Sequence, residues 1–401
     1  MSDYVNECRF LLQQGHVRNP LIEFLSDGIG DGVIVNPAFM DSDKCLKYIQ
    51  AVRDAKGLAF IDPMTLAMRY DSCHRCEILE SYPFIRFGET PASLTRKLRT
   101  EIVRGLIDYQ ASADCDIVLT PGVWFDGPSD PWLDVNIDLA ELGVNYSKRK
   151  LPDKEVFVPI YMDGTDLKND ALMLECADRY TTLDVAGFYL CLDPMWNEAA
   201  PSRDAELLTN WMHFVNRLHG NGYRVILGYL DSAAVLLSVA GAWAFGSGLF
   251  YTNRKFHLSQ WVGREEGIRK KSIKFYSPVL LNFLNVDGQL TILHDLGLLK
   301  RIKGDAKHAD VLFDGRRPSS SLFGEKDSQR SYLTTMHRLA RSMNGLSLVQ
   351  RHNVALNAIA EGTKVYMAAM SKGMRFDPNS GPDHLVAFAT ALRSFMATRK
   401  F

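Results

Sequence analysis

The stretch that most constrains the fold is residues 222–256, which read as a strand, a helix and a second strand. A short apolar run ends at Gly228, and the segment after Asp231 repeats apolar residues at helical spacing until Gly241. A second apolar run then leads into the polar residues 252–254. Two strands joined by one helix run parallel, so the polar groups that follow them lie at the same end of the fold.

The same alternation of apolar runs and amphipathic helices recurs along residues 32–260. Seven of the runs read as candidate strands: residues 32–37, 58–63, 116–121, 156–162, 185–192, 225–227 and 242–245. Short connections between strand and helix are typical of parallel strand-helix-strand units. The pattern predicts an α/β fold, a TIM (β/α)8 barrel with a C-terminal helical appendage. The eighth strand has no clear place, and residues 273–275 and 311–313 are both candidates.

Changes in composition divide the chain into four parts. Residues 1–31 read as an N-terminal helical lead-in, and residues 32–260 as the main part of the barrel. Residues 261–330 read as a charged and looped insertion or as the completion of the barrel, and residues 331–401 as C-terminal helices. Amphipathic helices mostly bury their apolar stripe on their own domain. Packing against the barrel is therefore the favoured role of these helices, and partner binding is the alternative.

Charge and cysteine content narrow the class of protein. The chain has 401 residues and a net charge of -1, so contact with nucleic acid would need a local basic patch. Residues 264–274, with Lys300, Arg301 and Lys303, could form one, but the glutamates among them favour a solvated helix face. Seven cysteines in a chain of this size suggest no disulfide framework, and the N-terminus lacks the apolar core of a signal peptide. We therefore expect a cytoplasmic protein.

Two further patterns have ordinary explanations. Residues 232–253 carry no charged side chain and are long enough to span a membrane, but their glycines and periodicity favour a buried helix and strand. Cys73, His74 and Cys76 suggest zinc, but a structural zinc site needs four ligands, and no second pair accompanies them. We therefore expect no metal, no cofactor and no membrane association.

Four of the predicted strands end in an aspartate, namely Asp62, Asp163, Asp193 and Asp231. Carboxylates at the carboxyl ends of barrel strands converge on the mouth, where burial and like charges raise their pKa values and allow general acid or base catalysis. The alternative is that each aspartate caps the helix that follows it. Both interpretations stay open for Asp62 and Asp193, and capping is favoured for Asp163 and Asp231.

The predicted exit loops carry groups that suit a purine nucleotide. Trp124, Tyr229 and Tyr251 could stack on a purine ring, with core packing as the alternative. Arg254, next to Lys255, follows a Gly-Ser-Gly turn whose backbone amides could approach an anion. The loops after the last strands of a TIM barrel are a frequent phosphate site.

The order of these elements in residues 222–256 resembles the late barrel segment of the tRNA-guanine transglycosylase family, which includes queuine, archaeosine and DNA 7-deazaguanine transglycosylases. Gly241, Phe245 and residues 252–254 follow the family pattern of a helix, a strand and an arginine-containing turn. The resemblance covers residues 32–256. It implies a TIM barrel that binds guanine or a 7-deazaguanine-type base and exchanges it into tRNA or DNA, as family members do, some of them in phage-defence operons.

The resemblance also implies roles for individual residues. Asp62 corresponds to the family aspartate that recognises the base or acts as general base. The nucleophilic aspartate of the family falls at Gly248 or Ser247, and no cysteines stand where the family has its zinc ligands. Another carboxylate would then have to attack the sugar, and Asp193 and Asp231 are the candidates.

The residues expected to bind substrate all lie at strand ends or in the exit loops: Asp163, Gly228, Tyr229, Ser247, Gly248, Thr252 and Arg254. The expected ligand is a purine or deazapurine base or nucleotide, with tRNA or DNA as the polymer. A protein partner and an oligomer are further options. Two other classes of function stay open. One is an inactive base-binding adaptor or regulator that acts through protein partners, and the other is an unrelated TIM-barrel enzyme with a phosphate ligand.

Overall fold

The computed structural model describes residues 7–16, 19–194, 201–262 and 272–398, and it contains a (β/α)8 barrel. Its eight parallel strands are β1 (Arg9–Gln13), β2 (Gly32–Val35), β3 (Leu58–Ile61), β4 (Ile117–Leu119), β5 (Glu155–Asp163), β6 (Gly187–Asp193), β7 (Arg224–Leu227) and β8 (Ala244–Ser247). The predicted TIM-barrel fold is therefore confirmed.

The strands follow one another around the barrel in chain order. Hydrogen-bonded pairing runs β3-β2-β1-β8-β7-β6-β5-β4. The first strand of the barrel, β1, therefore pairs with the last, β8. The remaining gap lies between β3 and β4. There the backbone N–H of Asp116 donates to the carbonyl of Ala59 at 2.9 Å, and the Asp116 carboxylate accepts from the Ala59 N–H at 2.8 Å. The barrel is thus nearly closed.

The eighth strand, which had no place in the sequence, is β1 at the N-terminus. The prediction of a helix over this part of the lead-in is wrong for residues 9–13, which form a strand. Its residues Phe10, Leu11 and Leu12 are consecutive in sequence and all fully buried. A strand between two parallel neighbours is covered on both faces, so consecutive apolar residues suit it, whereas a surface helix would expose one of them. Residues 1–6, 17 and 18 of the lead-in lie outside the described residues, and Asn19–Ser26 is helical.

The two other candidates for the eighth strand lie elsewhere. Lys274 begins β9 (Lys274–Ser277), which forms a separate antiparallel hairpin with β10 (Asn282–Asn285). Leu312 ends a single 3-10 turn, Asp310–Leu312. The basic segment 264–271 falls outside the described residues, so only its last part, near β9, is placed.

Helices cover the outside of the barrel. They are α1 (Asn19–Ser26), α2 (Ser42–Asp54), α3 (Cys76–Leu79), α4 (Arg96–Ser112), α5 (Trp132–Lys150), α6 (Asp170–Tyr180), α7 (Ala205–Gly220) and α8 (Ala234–Val239). Side-chain caps fix several of their starts: the Asp41 carboxylate accepts from the Lys44 N–H at 3.0 Å, and Asp204 accepts from the Leu207 N–H at 2.9 Å. In the part of the chain that the structure describes, no helix is long and apolar enough to cross a membrane.

The C-terminal part comprises α9 (Thr291–Asp295), α10 (Glu325–Met343), α11 (Leu348–Ser371) and α12 (Asp383–Thr398). Helix α10 packs on β1 and β9, α11 on α8, and α12 on α7, so the appendage shares one apolar core with the barrel. The buried Arg351 side chain ties α11 to the barrel layer, since it donates to the carbonyls of Ser238 at 3.0 Å and Glu7 at 3.1 Å. Helix α10 brings Tyr332 to the mouth of the barrel, where its hydroxyl lies 2.7 Å from the Ser247 Oγ.

Candidate functional site

Asp62, directly after β3, is fully buried near the axis of the barrel. Its Oδ1 accepts from the hydroxyl of Tyr161 at 2.6 Å and from the backbone N–H of Met64 at 3.3 Å, and its Oδ2 accepts from the hydroxyls of Tyr189 at 3.0 Å and Tyr229 at 3.4 Å. Burial raises the pKa of the Asp62 carboxyl, and the hydrogen bonds offset part of that rise. The three tyrosines come from β5, β6 and the turn after β7.

An aromatic residue covers this cluster. Phe256, in the loop after β8, is 1 % exposed, and its ring centroid lies 6.1 Å from Trp124, 6.3 Å from Tyr161 and 5.5 Å from Tyr229. A ligand that approached Asp62 from the side of this loop would have to displace Phe256. Two of the three aromatic side chains proposed to stack on a purine, Trp124 and Tyr229, pack on Phe256, and the third, Tyr251, lines the cavity described below.

More polar side chains belong to the same buried layer. The Asn36 amide donates to the Tyr229 hydroxyl at 3.0 Å, and the Gln14 amide oxygen accepts from the Asn36 backbone N–H at 3.0 Å. Gln13 is fully buried, and neither polar atom of its side chain has a hydrogen-bond partner among the described residues. Sequence reasoning missed Gln13 and Gln14, because residues 1–31 were expected to be a helical lead-in outside the barrel.

Backbone strain marks two of the turns around the cluster. Met64 has φ of 55° and Tyr229 has φ of 54°, which is the left-handed region that non-glycine residues rarely adopt. Gly228, before Tyr229, has no room for a side chain, since a Cβ there would lie 2.5 Å from the Tyr189 hydroxyl. Such conformations persist only where the surrounding structure fixes them, and they are frequent at ligand sites.

Asp193 and Asp163, at the ends of β6 and β5, hold loops. Asp193 is 3 % exposed, and its carboxylate accepts from the backbone N–H of Leu258 at 2.8 Å and lies 3.2 Å from the Nδ1 of His257. Asp163 accepts from the backbone N–H of Thr165 at 2.8 Å and from its hydroxyl at 2.7 Å. Asp193 therefore anchors the loop that carries Phe256, and Asp163 caps the turn after its own strand.

Asp231, after β7, borders an open cavity of about 270 Å³. Its Oδ1 accepts from the Ala233 N–H at 2.9 Å, and its Oδ2 lies 3.7 Å from the Nζ of Lys255. The cavity lies between the exits of β7 and β8 and the hairpin β9-β10. Its described lining residues are Pro201, Asp231, Ser232, Tyr251, Arg254, Lys255, Ser272, Lys274, Tyr276 and Phe283.

Arg254 is held rigidly at this cavity. Its Nε donates to the carbonyl of Gly248 at 3.0 Å, and its Nη2 donates to the carbonyl of Leu249 at 2.6 Å. The guanidinium carbon lies 4.4 Å from the ring centroid of Phe283 and 4.0 Å from that of Tyr332. Burial lowers the pKa of Arg254. Within the described residues, Arg254 forms no ion pair and its Nη1 donates no hydrogen bond.

Lys274, the first residue of β9, adds a second cation. Burial lowers the pKa of Lys274, the positive charge of Arg254 lowers it further, and Asp377 partly opposes both effects. Like charges in a half-buried cavity repel, so an anion bound between Lys274 and Arg254 would be stabilised by both.

The structure brings only some of the predicted binding residues to this cavity. Asp231 and Arg254 line it, whereas Ser247, Gly248 and Thr252 are not among its described lining residues. Gly248 is closely packed, since a Cβ there would lie 2.4 Å from the Cβ of Asn253. The Gly-Ser-Gly turn therefore supplies the Gly248 carbonyl that positions Arg254.

Neither a protein-family model nor a curated protein matches this chain. Among solved structures, the chain is similar to a thiamine phosphate pyrophosphorylase from Pyrococcus furiosus, with 10 % sequence identity and a TM-score of 0.29 over 61 % of this chain and 85 % of that chain. A likeness at this level carries no information about function, and it does not confirm the transglycosylase family. The function proposed below therefore rests on the residues of the site.

Proposed function

We propose that this protein binds a small phosphorylated ligand in the cavity between the exits of β7 and β8 and the hairpin β9-β10. One observation carries this proposal: three cationic side chains, Arg254, Lys255 and Lys274, line the cavity, and Asp231 is the one carboxylate among its described lining residues. Lys255 lies beside Asp231, which leaves Arg254 and Lys274 for an anion.

The chemistry of Arg254 favours a phosphate. A guanidinium presents several donors in a fixed plane, which matches the oxygen atoms of a phosphate better than a single point charge does. The two backbone carbonyls and two aromatic rings around Arg254 hold that plane in place before any ligand binds. A preorganised cation loses little side-chain entropy on binding, so more of the interaction energy contributes to affinity.

The position in the fold agrees with this chemistry. The loops after the last two strands form the phosphate site in many TIM barrels. Ser232 adds a hydroxyl to the lining. Its side chain is 1 % exposed, and its oxygen has no hydrogen-bond partner among the described residues. A phosphate oxygen is an acceptor for such a hydroxyl.

Calorimetric titration with inorganic phosphate, at constant ionic strength and with chloride as the competing anion, tests the proposal. Lys274→Gln removes one cation without disturbing the packing around Arg254, and we expect it to weaken phosphate binding about tenfold or more, because a charge-assisted hydrogen bond contributes about 1.5–3 kcal/mol. Lys300→Gln is the matched control, because Lys300 is exposed and lies in a separate turn, Leu299–Ile302. Equal weakening by both variants, or no binding of phosphate to the unaltered protein, would refute the proposal.

A second candidate function is the binding of a guanine or 7-deazaguanine-type base at Asp62, with exchange into tRNA or DNA. The buried layer of Asp62, Asn36 and the unpartnered Gln13 favours it, because such groups can read the polar edge of a base. The base would have to displace Phe256. Thermal shift with guanine on the unaltered protein and on Phe256→Ala tests this candidate: guanine should stabilise the Phe256→Ala variant more. Absence of a shift in both proteins would remove it, and a shift without base exchange would favour the inactive adaptor.

A further inference from the structure

The cationic cavity has a narrow apolar neighbour. A second cavity of about 30 Å³ shares Asp231, Arg254 and Lys255 with the first. It lies between β6, β7 and the helices α7 and α8. Its apolar lining includes Leu190, Leu192, Trp211, Leu230, Leu237 and Phe256. A ligand held by Arg254 in the wide cavity is therefore next to an apolar recess.

Two polar side chains at the rim of this recess, those of Trp211 and Asp231, already have partners. The indole N–H of Trp211 donates to the carbonyl of Gly164 at 3.2 Å, so the recess meets only the hydrocarbon part of the ring. The Asp231 carboxylate accepts from the Ala233 N–H and lies beside Lys255. Arg254 also lines the recess, but the proposed phosphate takes its donors. Hydroxyl groups deeper in the recess would lose water and meet mainly apolar side chains, which disfavours sugars and other polyols.

We propose, on the basis of the phosphate site described above, that the ligand is a phosphate monoester whose organic group is short and apolar. Its phosphate binds Arg254 and Lys274, and its organic group fills the recess. A volume of about 30 Å³ holds about two groups the size of a water molecule. The apolar group that fits without rearrangement therefore has about two or three carbon atoms. Polyhydroxylated sugar phosphates and nucleotides are the excluded classes.

A homologous series of ligands tests the inference. The probes are inorganic phosphate, methyl phosphate, ethyl phosphate, n-propyl phosphate, n-hexyl phosphate and glycerol 3-phosphate, titrated by calorimetry at constant ionic strength. Each of the first two carbon atoms should tighten binding about fourfold, which is the usual effect of burying one methylene group. The hexyl chain should gain nothing further, and glycerol 3-phosphate should bind no more tightly than methyl phosphate.

Two variants locate the effect. Ala233→Leu places extra volume in the recess, so it should abolish the gain from the alkyl group and leave the affinity for inorganic phosphate unchanged. Leu230→Ala widens the recess and should move the optimum to a longer alkyl chain, which keeps the test valid if Ala233→Leu folds poorly. The two proposals fail in different ways. If every probe binds with the same affinity as inorganic phosphate, this inference alone is overturned. If no probe binds, the phosphate site is overturned as well.

Discussion

Replacing Asp62 by asparagine should remove a pH dependence of stability that this one carboxyl creates. Burial raises the folded-state pKa of Asp62 above its ordinary value of 3.8, so the folded protein keeps a proton that the unfolded chain releases. The contribution of Asp62 to stability is therefore full below pH 3.8 and falls as pH rises toward the folded-state pKa. Within that interval the slope is about 1.4 kcal/mol per pH unit.

The hydrogen bonds set the cost of the substitution itself. An asparagine oxygen can still accept from Tyr161 and Met64, but its NH₂ group faces the hydroxyls of Tyr189 and Tyr229, which now donate to Asp62. A protonated Asp62 carboxyl donates through one oxygen and turns one of these hydroxyls into an acceptor, whereas the NH₂ group turns both. At least one more buried O–H would therefore lose its acceptor in the variant. A buried donor without a partner costs about 1–3 kcal/mol. We therefore expect Asp62→Asn to be less stable than the unaltered protein near pH 4.5, with the difference shrinking as pH rises.

The assay is urea unfolding, followed by tryptophan fluorescence between pH 4.5 and 8 and expressed as the difference in unfolding free energy between variant and unaltered protein. Asp31→Asn is the control of opposite sign. Burial would raise the pKa of Asp31, but the hydrogen bonds from His337 and the backbone of Phe10, with the charge of Arg341, lower it below 3.8. Its contribution is therefore lost only below that pH, and its difference curve should be flat across the range. A flat curve for Asp62→Asn as well would refute the reasoning.

Three other substitutions test the frame that holds the site. Arg351→Met should lower the unfolding free energy by about 2–4 kcal/mol in urea unfolding, because buried carbonyls such as that of Ser238 lose their charged donor; an unchanged midpoint would contradict this. Burial lowers the pKa of His384 to about 4 from 6.5, so the neutral ring stabilises the fold above pH 6.5, and about 3 kcal/mol is lost as pH falls from 6.5 to about 4. His384→Gln should abolish that loss. An equal loss of unfolding free energy at low pH in this variant would exclude the explanation. Gly248→Ala should unfold at a clearly lower temperature, since its Cβ would lie 2.4 Å from that of Asn253; an equal melting temperature would show that the turn can adjust.

The barrel was predictable from sequence for seven of its strands, because each is an apolar run that a helix separates from the next. Strand β1 was not, since its apolar run Phe10, Leu11 and Leu12 has only three residues and continues into Gln13 and Gln14. Two glutamines suggest an exposed segment. Both are fully buried here, and Gln14 accepts from the backbone N–H of Asn36 in the layer around Asp62. Burial of a polar residue depends on partners from distant strands, which the local sequence does not contain.

The candidate site was predictable only where it follows a strand. Asp231 and Arg254 come from exit loops of the barrel, and their positions follow from the repeating unit alone. Lys274, Tyr276 and Phe283 come from the hairpin β9-β10, which returns to the mouth through packing against α10. No local pattern indicates that return. The cationic character of the cavity therefore became apparent only once the hairpin was placed beside the barrel.

The aspartates at the strand ends do converge on the mouth, yet they do not form an open cluster of carboxylates. Three of them meet different parts of one loop, residues 254–258: Asp231 lies beside Lys255, Asp62 accepts from tyrosines that pack on Phe256, and Asp193 accepts from the backbone of Leu258. Asp163 caps the turn after its own strand. The residue that this loop directs to the open cavity is Arg254. Among the described lining residues of this cavity, a ligand meets three cationic side chains and the single carboxylate of Asp231, which favours an anion over the base that Asp62 alone would suggest.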